Sequence, residues 1–289
     1  MKRIEALIER EYEVKDVRME AVLQEKGGRS VYKITSDRGE FVYKSANAAK
    51  SLEEIQKDLY IFDFAQENGF EHLPEIIKTR DGFNFARGPQ GYGHLMSFID
   101  GGEPADTAEN WAGIGAITAK FHSLSDYPYT SSFTPESENE TYPEVAKSLS
   151  FGGEYMTLAN QLPDFQQCSQ SLIHTDIGLH NIAQDRKGTL YFLDWDGVGL
   201  GITILDLGFP LLSQFLNDKL FFRKELAVAF YRTYFQHRHL PTVDKELIFD
   251  ASLFFQLIYL PYDDVEKNWQ KIQFAVKHKA DLIAVIQGF

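Results

Sequence analysis

The sequence predicts an α+β fold of two lobes. Residues 1–99 are expected to form an N-terminal antiparallel five-stranded sheet with one helix, and residues 100–289 a mostly helical C-terminal lobe. Three observations carry this expectation. Short alternating runs separated by turn residues fill the first hundred positions, a single helix-period run interrupts them, and helix-period runs dominate after Pro104.

The elements follow in order. "MEAVLQE" and "SVYKITS" alternate on either side of the loop "KGGR", and "FVYKS" follows the turn "SDRGE", whose Asp37 to Gly39 chemistry suits a hairpin. The run "SLEEIQKDLYIFDFAQENG" places Leu52, Ile55, Leu59 and Phe62 on one helical face. Ser51 with Glu54 three residues on is a capping-box start, and Gly69 a stop. "EIIKTRDGFNFARG" reads as a hairpin turning at Asp81-Gly82, and "GHLMSFIDGG" as a last strand. The composition shifts at "IDGGEP". Beyond it, "AENWAGIGAITAKFHSLS", "KELAVAFYRTYFQHR" and "DKELIFDASLFFQLIYL" are helical, with an irregular insertion or mobile loop from Tyr127 to Pro143.

Composition narrows the function. A formal net charge of -13 argues against nucleic acid, which needs clustered Lys and Arg, and favours a neutral or cationic small molecule. No apolar run approaches a membrane span. The charged opening "MKRIEALIEREYEV" lacks a secretory core, and the lone Cys168, expected to be a packing residue, forms no disulfide framework. A cytoplasmic chain is expected.

The chemistry concentrates in "SLIHTDIGLHNIAQDRKGTLYFLDWDGVGLG", residues 171–201. Strand-like Leu172-Ile173 lead into His174, Asp176 and Asn181; a hairpin turning at Asp185 to Gly188 then returns the chain to Asp194. Asn181 and Asp194 are an oxygen-only pair suited to Mg2+, which takes one or two protein oxygens and completes its shell with phosphates and water. Asp176 would accept or orient the proton of an attacking hydroxyl. A mixed metal cage of His174, Asp176, His180 and Asp194 would need a further histidine at ligand spacing, which the chain does not supply.

H-x-D-x-x-x-x-N, a short hairpin and D-W-D resemble the aminoglycoside phosphotransferase and choline kinase family, with its bilobal protein-kinase-like fold. "VYKI" and "FVYK" resemble that family's second and third strands, "HLMSFIDG" its hinge, "AKFHSLS" the helix end that follows, and "ILDLGFPL" its Asp-Leu element. The resemblance implies an ATP- and Mg2+-dependent transfer of the γ-phosphate to a hydroxyl of an aminoglycoside, amino alcohol, homoserine or sugar-like acceptor. It makes Asp176 the catalytic base, Asn181 and Asp194 the metal ligands, and Lys44 the grip on the α- and β-phosphates. The Gly27-Gly28 loop would approach phosphate through its backbone, and the Ser97 carbonyl and Ile99 N–H would read adenine. The family places a Glu on the N-lobe helix to pair with the lysine. Counting back from Gly69 puts Asp58 there, a methylene shorter, since Glu54 is already explained by the capping box.

Several residues have plainer readings beside these. His174 and Asp206 are expected as scaffold, and His180 as outward-facing or locally packed. Asp196 is either a second metal or substrate ligand or a turn residue. Asp263, Asp264, Glu266 and Trp269 in "YLPYDDVEKNW" could meet a cationic or polyhydroxy acceptor, or be an ordinary acidic helix start. A catalytically silent kinase-like binding protein is the competing class. A protein kinase fits less well, because "GVGLGITI" leaves no room for a long activation segment.

Overall fold

The computed structural model describes residues 2–26, 29–88, 91–262 and 264–289. The chain divides into two units, Met1–Gly102 with Ala183–Trp195, and Glu103–Ile182 with Asp196–Phe289. The stretch 183–195 therefore counts with the first unit, although a single break at 99/100 would assign it to the second.

The first unit opens with α1 (Lys2–Glu11), a helix absent from the expected elements because its stretch is highly charged. Its apolar side is nonetheless periodic: Leu7 and Ile8 are buried with Ile4 packed beside them, an i, i+3, i+4 set. Strands β1 (Arg18–Lys26), β2 (Arg29–Ser36) and β3 (Gly39–Ser45) follow, then α2 (Leu52–Glu67). The capping box forms as expected: Glu54 N–H donates to Ser51 Oγ, and Ser51 N–H donates to Glu54 Oε2 at 2.7 Å. Next come β4 (Ile76–Ile77), β5 (Ala86–Gly88), β6 (Gly91–Ser97) and β7 (Gly101–Gly102).

Among the described residues the main sheet has six strands rather than five, in the order β1-β2-β3-β6-β4, with β5 also on β6. The expected hairpin at Asp81-Gly82 is a turn without paired arms. Instead β4 pairs with Met96 and Leu95, and β5 with Gly91 to Gly93, both on β6. Period-2 alternation on β3 splits the sheet's faces. Phe41 and Tyr43 join Tyr12, Ile34 and Leu95 in the buried core beside α1, while Val42 and Lys44 share the other face and are half-buried. His94, opposite Lys44 in the register, meets Phe62 of α2 at a ring distance of 6.2 Å.

The second unit begins with α3 (Ala108–His122), then α4 (Pro135–Asn139), α5 (Tyr142–Ser148), α6 (Gly152–Ala159) and β8 (Gln170–Ile173). Strands β9 (Ile182–Asp185) and β10 (Leu190–Phe192) follow in the chain and count with the first unit, β9 lying between β10 and β7. At Gly101 any Cβ would lie 1.8 Å from the Gln184 carbonyl oxygen, so this β7–β9 approach requires glycine. The chain closes with β11 (Gly199–Ile202), α7 (Thr203–Ser213), α8 (Lys224–His237), α9 (Thr242–Tyr259), α10 (Val265–Lys277) and α11 (Lys279–Gln287). Trp111 of α3 packs edge-on to Phe215 and Phe230, and donates its indole N–H to Asp106 at 2.8 Å.

The insertion is not a free loop. Ser131 N–H donates to Leu200 O, Leu200 N–H to Tyr129 O, and Ser131 Oγ to Gly197 O at 2.7 Å, so residues 129–131 are tied along β11. Phe133 then stacks on Phe255 at 5.4 Å. No helix among the described residues is long and apolar enough to cross a membrane.

Candidate active site

In the first unit, Lys44 Nζ lies 2.8 Å from Asp194 Oδ1. Asp194 sits at φ +52, a left-handed conformation that Asp tolerates better than most residues. Its neighbour Trp195 fixes the chain there: the buried indole donates to Phe192 O at 3.0 Å and meets Phe62, Phe70 and Phe192 at about 6 Å. Asp58, expected to hold Lys44, pairs with Lys50. Ser97 closes β6, with Oγ accepting from Glu75 N–H at 2.9 Å, and Ile99 follows half-buried. Gly27 and Gly28 lie outside the described residues.

In the second unit, β8 delivers the chain into a turn built on one buried carboxylate. Asp206, near the start of α7, is 0% exposed and accepts from His174 N–H at 2.6 Å and Thr175 N–H at 2.5 Å. Thr175, at φ +76, is β-branched in a conformation such residues avoid. Asp206 thus holds a strained backbone immediately before Asp176. His122 of α3 completes the support, with Nε2 3.0 Å from Asp206 Oδ2 and Nδ1 2.9 Å from the Tyr234 hydroxyl.

Burial pushes the His122 pKa below its ordinary value, more than its hydrogen bond to Asp206 and that residue's charge raise it; the charges of Arg238 and His174 lower it further. The imidazole is therefore neutral in the fold, donating to Asp206 and accepting from Tyr234. The unfolded chain binds a proton at this position below about pH 6.5 and the folded chain does not, so stability falls as pH drops through that value. In urea melts between pH 7.5 and 5.5 we expect the acid-side slope to shrink in His122→Gln. A slope identical to wild type would remove His122 as its source.

The loop beyond is closed on itself. Asp176 O accepts from Gly178 N–H at 3.0 Å and from Asn181 Nδ2 at 3.1 Å, and Asn181 N–H donates to Gly178 O at 2.9 Å. The Asn181 amide nitrogen is so committed. Asp176 Oδ2 lies 3.2 Å from His180 Nε2, while Oδ1 is buried with no hydrogen-bond partner. Burial raises the Asp176 pKa, but the hydrogen bond and charge of His180, then His174 and Asn181, outweigh it and leave the carboxyl below its ordinary value. Asp176 is thus ionised at neutral pH with 39% of its side chain exposed. The His180 contact was not expected, nor was Tyr259: burial, then the charges of Asp176 and Glu138 and the neighbouring Tyr262, push that phenol up to about 12.

The remaining expected residues are placed as follows. His174 is buried, and Asp196 half-buried directly after Trp195. Asp264 caps α10 by accepting from Lys267 N–H at 3.1 Å, and Glu266 is exposed in that helix's first turn. Trp269 is buried and stacked on Phe151 at 4.4 Å, a packing role. Asp263 lies outside the described residues. Among the described residues no three His, Cys, Asp or Glu side chains gather as a metal cage. The Asp194 carboxylate in the first unit and the Asn181 amide oxygen in the second are each hard oxygen donors, the type that Mg2+ takes.

A model of the phosphotransferase enzyme family matches residues 23–246. No curated protein sequence matches the chain. Among solved structures, spectinomycin phosphotransferase, determined with ADP and spectinomycin, is 14% identical over 99% of this chain and 93% of its own, with a TM-score of 0.67. Amicoumacin kinase, determined with AMP-PNP and Ca2+, is 15% identical over 96% and 90%, with a TM-score of 0.65. A choline kinase from Streptococcus pneumoniae is 16% identical over 97% and 98%, with a TM-score of 0.59. At these identities the likeness is one of fold.

Proposed function

The chain belongs to the phosphotransferase enzyme family, and on that premise we propose that it moves the γ-phosphate of ATP, with Mg2+, to a hydroxyl of a small molecule. The observation that carries the reading is the Asp176 loop: an ionised, partly exposed carboxylate on a backbone tied down by buried Asp206.

In this reading the acceptor's oxygen attacks the γ-phosphorus, the bond to the β-phosphate oxygen breaks, and ADP leaves with the electron pair. The hydroxyl's proton passes to Asp176. Lys44 exchanges its contact with Asp194 for the α- and β-phosphates, and Asn181 and Asp194 would hold Mg2+. The metal supplies positive charge that offsets the charge of the phosphate oxygens. The chain's own contribution is mostly positioning, since phosphoryl transfer asks for little covalent chemistry. Nucleotides bound to the spectinomycin and amicoumacin enzymes support ATP as donor.

The acceptor we favour carries an amine beside its hydroxyl. Tyr259 is 42% exposed and feels the charges of the Asp176 and Glu138 carboxylates, and its ring neighbour Tyr262 is 81% exposed, a setting that favours a cation over an anion. The net charge of -13 points the same way.

Calorimetric titration with ATP tests the nucleotide half. Wild type should bind more tightly with Mg2+ than without it, and Asp194→Asn should lose most of that gain, about tenfold or more in affinity. An Asp194→Asn chain with the full metal-dependent gain would remove Asp194 as a ligand, and no ATP binding by wild type would favour a silent binding protein.

A further inference from the structure

We propose that His180 is a positioning residue for phosphotransfer, holding the Asp176 carboxylate in the orientation in which it receives the acceptor's proton. This role rests on the phosphotransfer reading above and concerns a residue that the motif H-x-D-x-x-x-x-N leaves unspecified.

The backbone of Asp176 is fixed from both sides, by Asp206 through His174 and Thr175 before it, and by Gly178 and Asn181 at its own carbonyl. Backbone fixation leaves the carboxylate free to turn about its last torsion, which is broad for Asp. His180 limits that turn. Its Nε2 lies 3.2 Å from Oδ2, four residues along, and donates there whether the ring is the neutral Nε2–H tautomer or the imidazolium. An ionised carboxylate oxygen has a second lone-pair site, so Oδ2 held by His180 can still accept from an acceptor hydroxyl.

The ring's own position is built into the loop. A Cβ at Gly178 would lie 2.6 Å from His180 Cε1 and 2.7 Å from Nδ1, so the imidazole occupies space that only glycine leaves open. On the same side Gln214 closes in, with Nε2 3.1 Å from that hypothetical Cβ and Oε1 accepting from Leu179 N–H at 3.4 Å. The segment "IGLHN" therefore reads as a seat for an imidazole facing the carboxylate. His180 has a defined contact, but 55% of its side chain is exposed, so its replacement should cost little folding stability.

The test is a set of variants assayed for turnover, acceptor KM, ATP affinity and melting temperature. His180→Leu should lower kcat about 10- to 100-fold, the scale of a misaligned reacting group, with KM, ATP affinity and melting temperature near wild type. His180→Gln, whose amide can donate to the same oxygen, should recover most of the loss. Gly178→Ala, which displaces the ring without removing it, should lower kcat in the same direction. The deciding arm is a double-mutant cycle: in an Asp176→Asn background His180→Leu should cost nothing further. Undiminished kcat in His180→Leu, or an equal loss in the Asp176→Asn background, overturns the role while leaving phosphotransfer standing. A wild-type chain that transfers phosphate to no acceptor overturns the phosphotransfer reading, and the role with it.

Discussion

Asp176→Asn should lower kcat by about 10²- to 10⁴-fold, the range contributed by a positioned general base, with ATP affinity held within about twofold. The substitution is nearly isosteric and leaves the Asp176 carbonyl, which accepts from Gly178 N–H and Asn181 Nδ2, untouched. What it removes is the negative charge that burial alone would disfavour and that His180, His174 and Asn181 maintain. An amide cannot take up the acceptor's proton, so the loss should fall on kcat. Pre-steady-state quench of ATP with saturating acceptor separates the chemical step from product release. A chemical step as fast as wild type would take Asp176 out of its role.

Asp206→Ala should destabilise the second unit by about 3–5 kcal/mol, because it strands the backbone N–H groups of buried His174 and half-buried Thr175 and the imidazole N–H of His122, each worth roughly 1–3 kcal/mol. The donors lie 2.6, 2.5 and 3.0 Å from the carboxylate, and Asp206 is fully buried. Without it Thr175 has no reason to stay at φ +76. Activity should therefore fall along with stability. Asp206→Asn should cost less, since it keeps one acceptor oxygen, but its amide nitrogen then faces a donor. Urea unfolding followed by circular dichroism measures both. A loss below about 1 kcal/mol for Asp206→Ala would mean the loop is held by something else.

The parts of this molecule that were legible in the sequence are those whose causes are local. The capping box at Ser51 and Glu54 needs only residues three apart, and it forms. The long helices announce themselves by period, and the motif from His174 to Asp194 is a single continuous stretch. Errors arose where strand partners had to be chosen. The arms around Asp81-Gly82 looked like each other's partners, yet β6 offered both a longer edge. Helix α1 was hidden by its charges, although Ile4, Leu7 and Ile8 carry the period that buries it. The Tyr127 to Pro143 insertion read as loose because its composition is turn-like; the hydrogen bond that ties Ser131 to Gly197 spans 66 residues, and those to Leu200 join equally distant parts of the chain.

The site divides in the same way. Residue types at motif spacing nominated Asp176, Asn181, Asp194 and Lys44, with His174 and Asp206 as scaffold, but not His122 and Tyr234 behind Asp206. His122 reaches Asp206 across 84 residues and Tyr234 across 112, and no spacing rule connects such positions. Trp269 looked available to a ligand because Phe151, which covers it, lies in a distant helix start. His180 was four residues from Asp176 throughout. Its contact was missed because it depends on a glycine-made space that becomes visible only with coordinates.

31P NMR of the wild-type chain with ATP, Mg2+ and a panel of hydroxylated amines, amino acids and sugars tests phosphotransfer from ATP to a small hydroxylated acceptor. A phosphomonoester resonance should grow with ADP for at least one acceptor bearing an amine, and none should grow with Asp176→Asn. ATP left intact across the whole panel, or hydrolysed only to inorganic phosphate at the same rate in both chains, would contradict it.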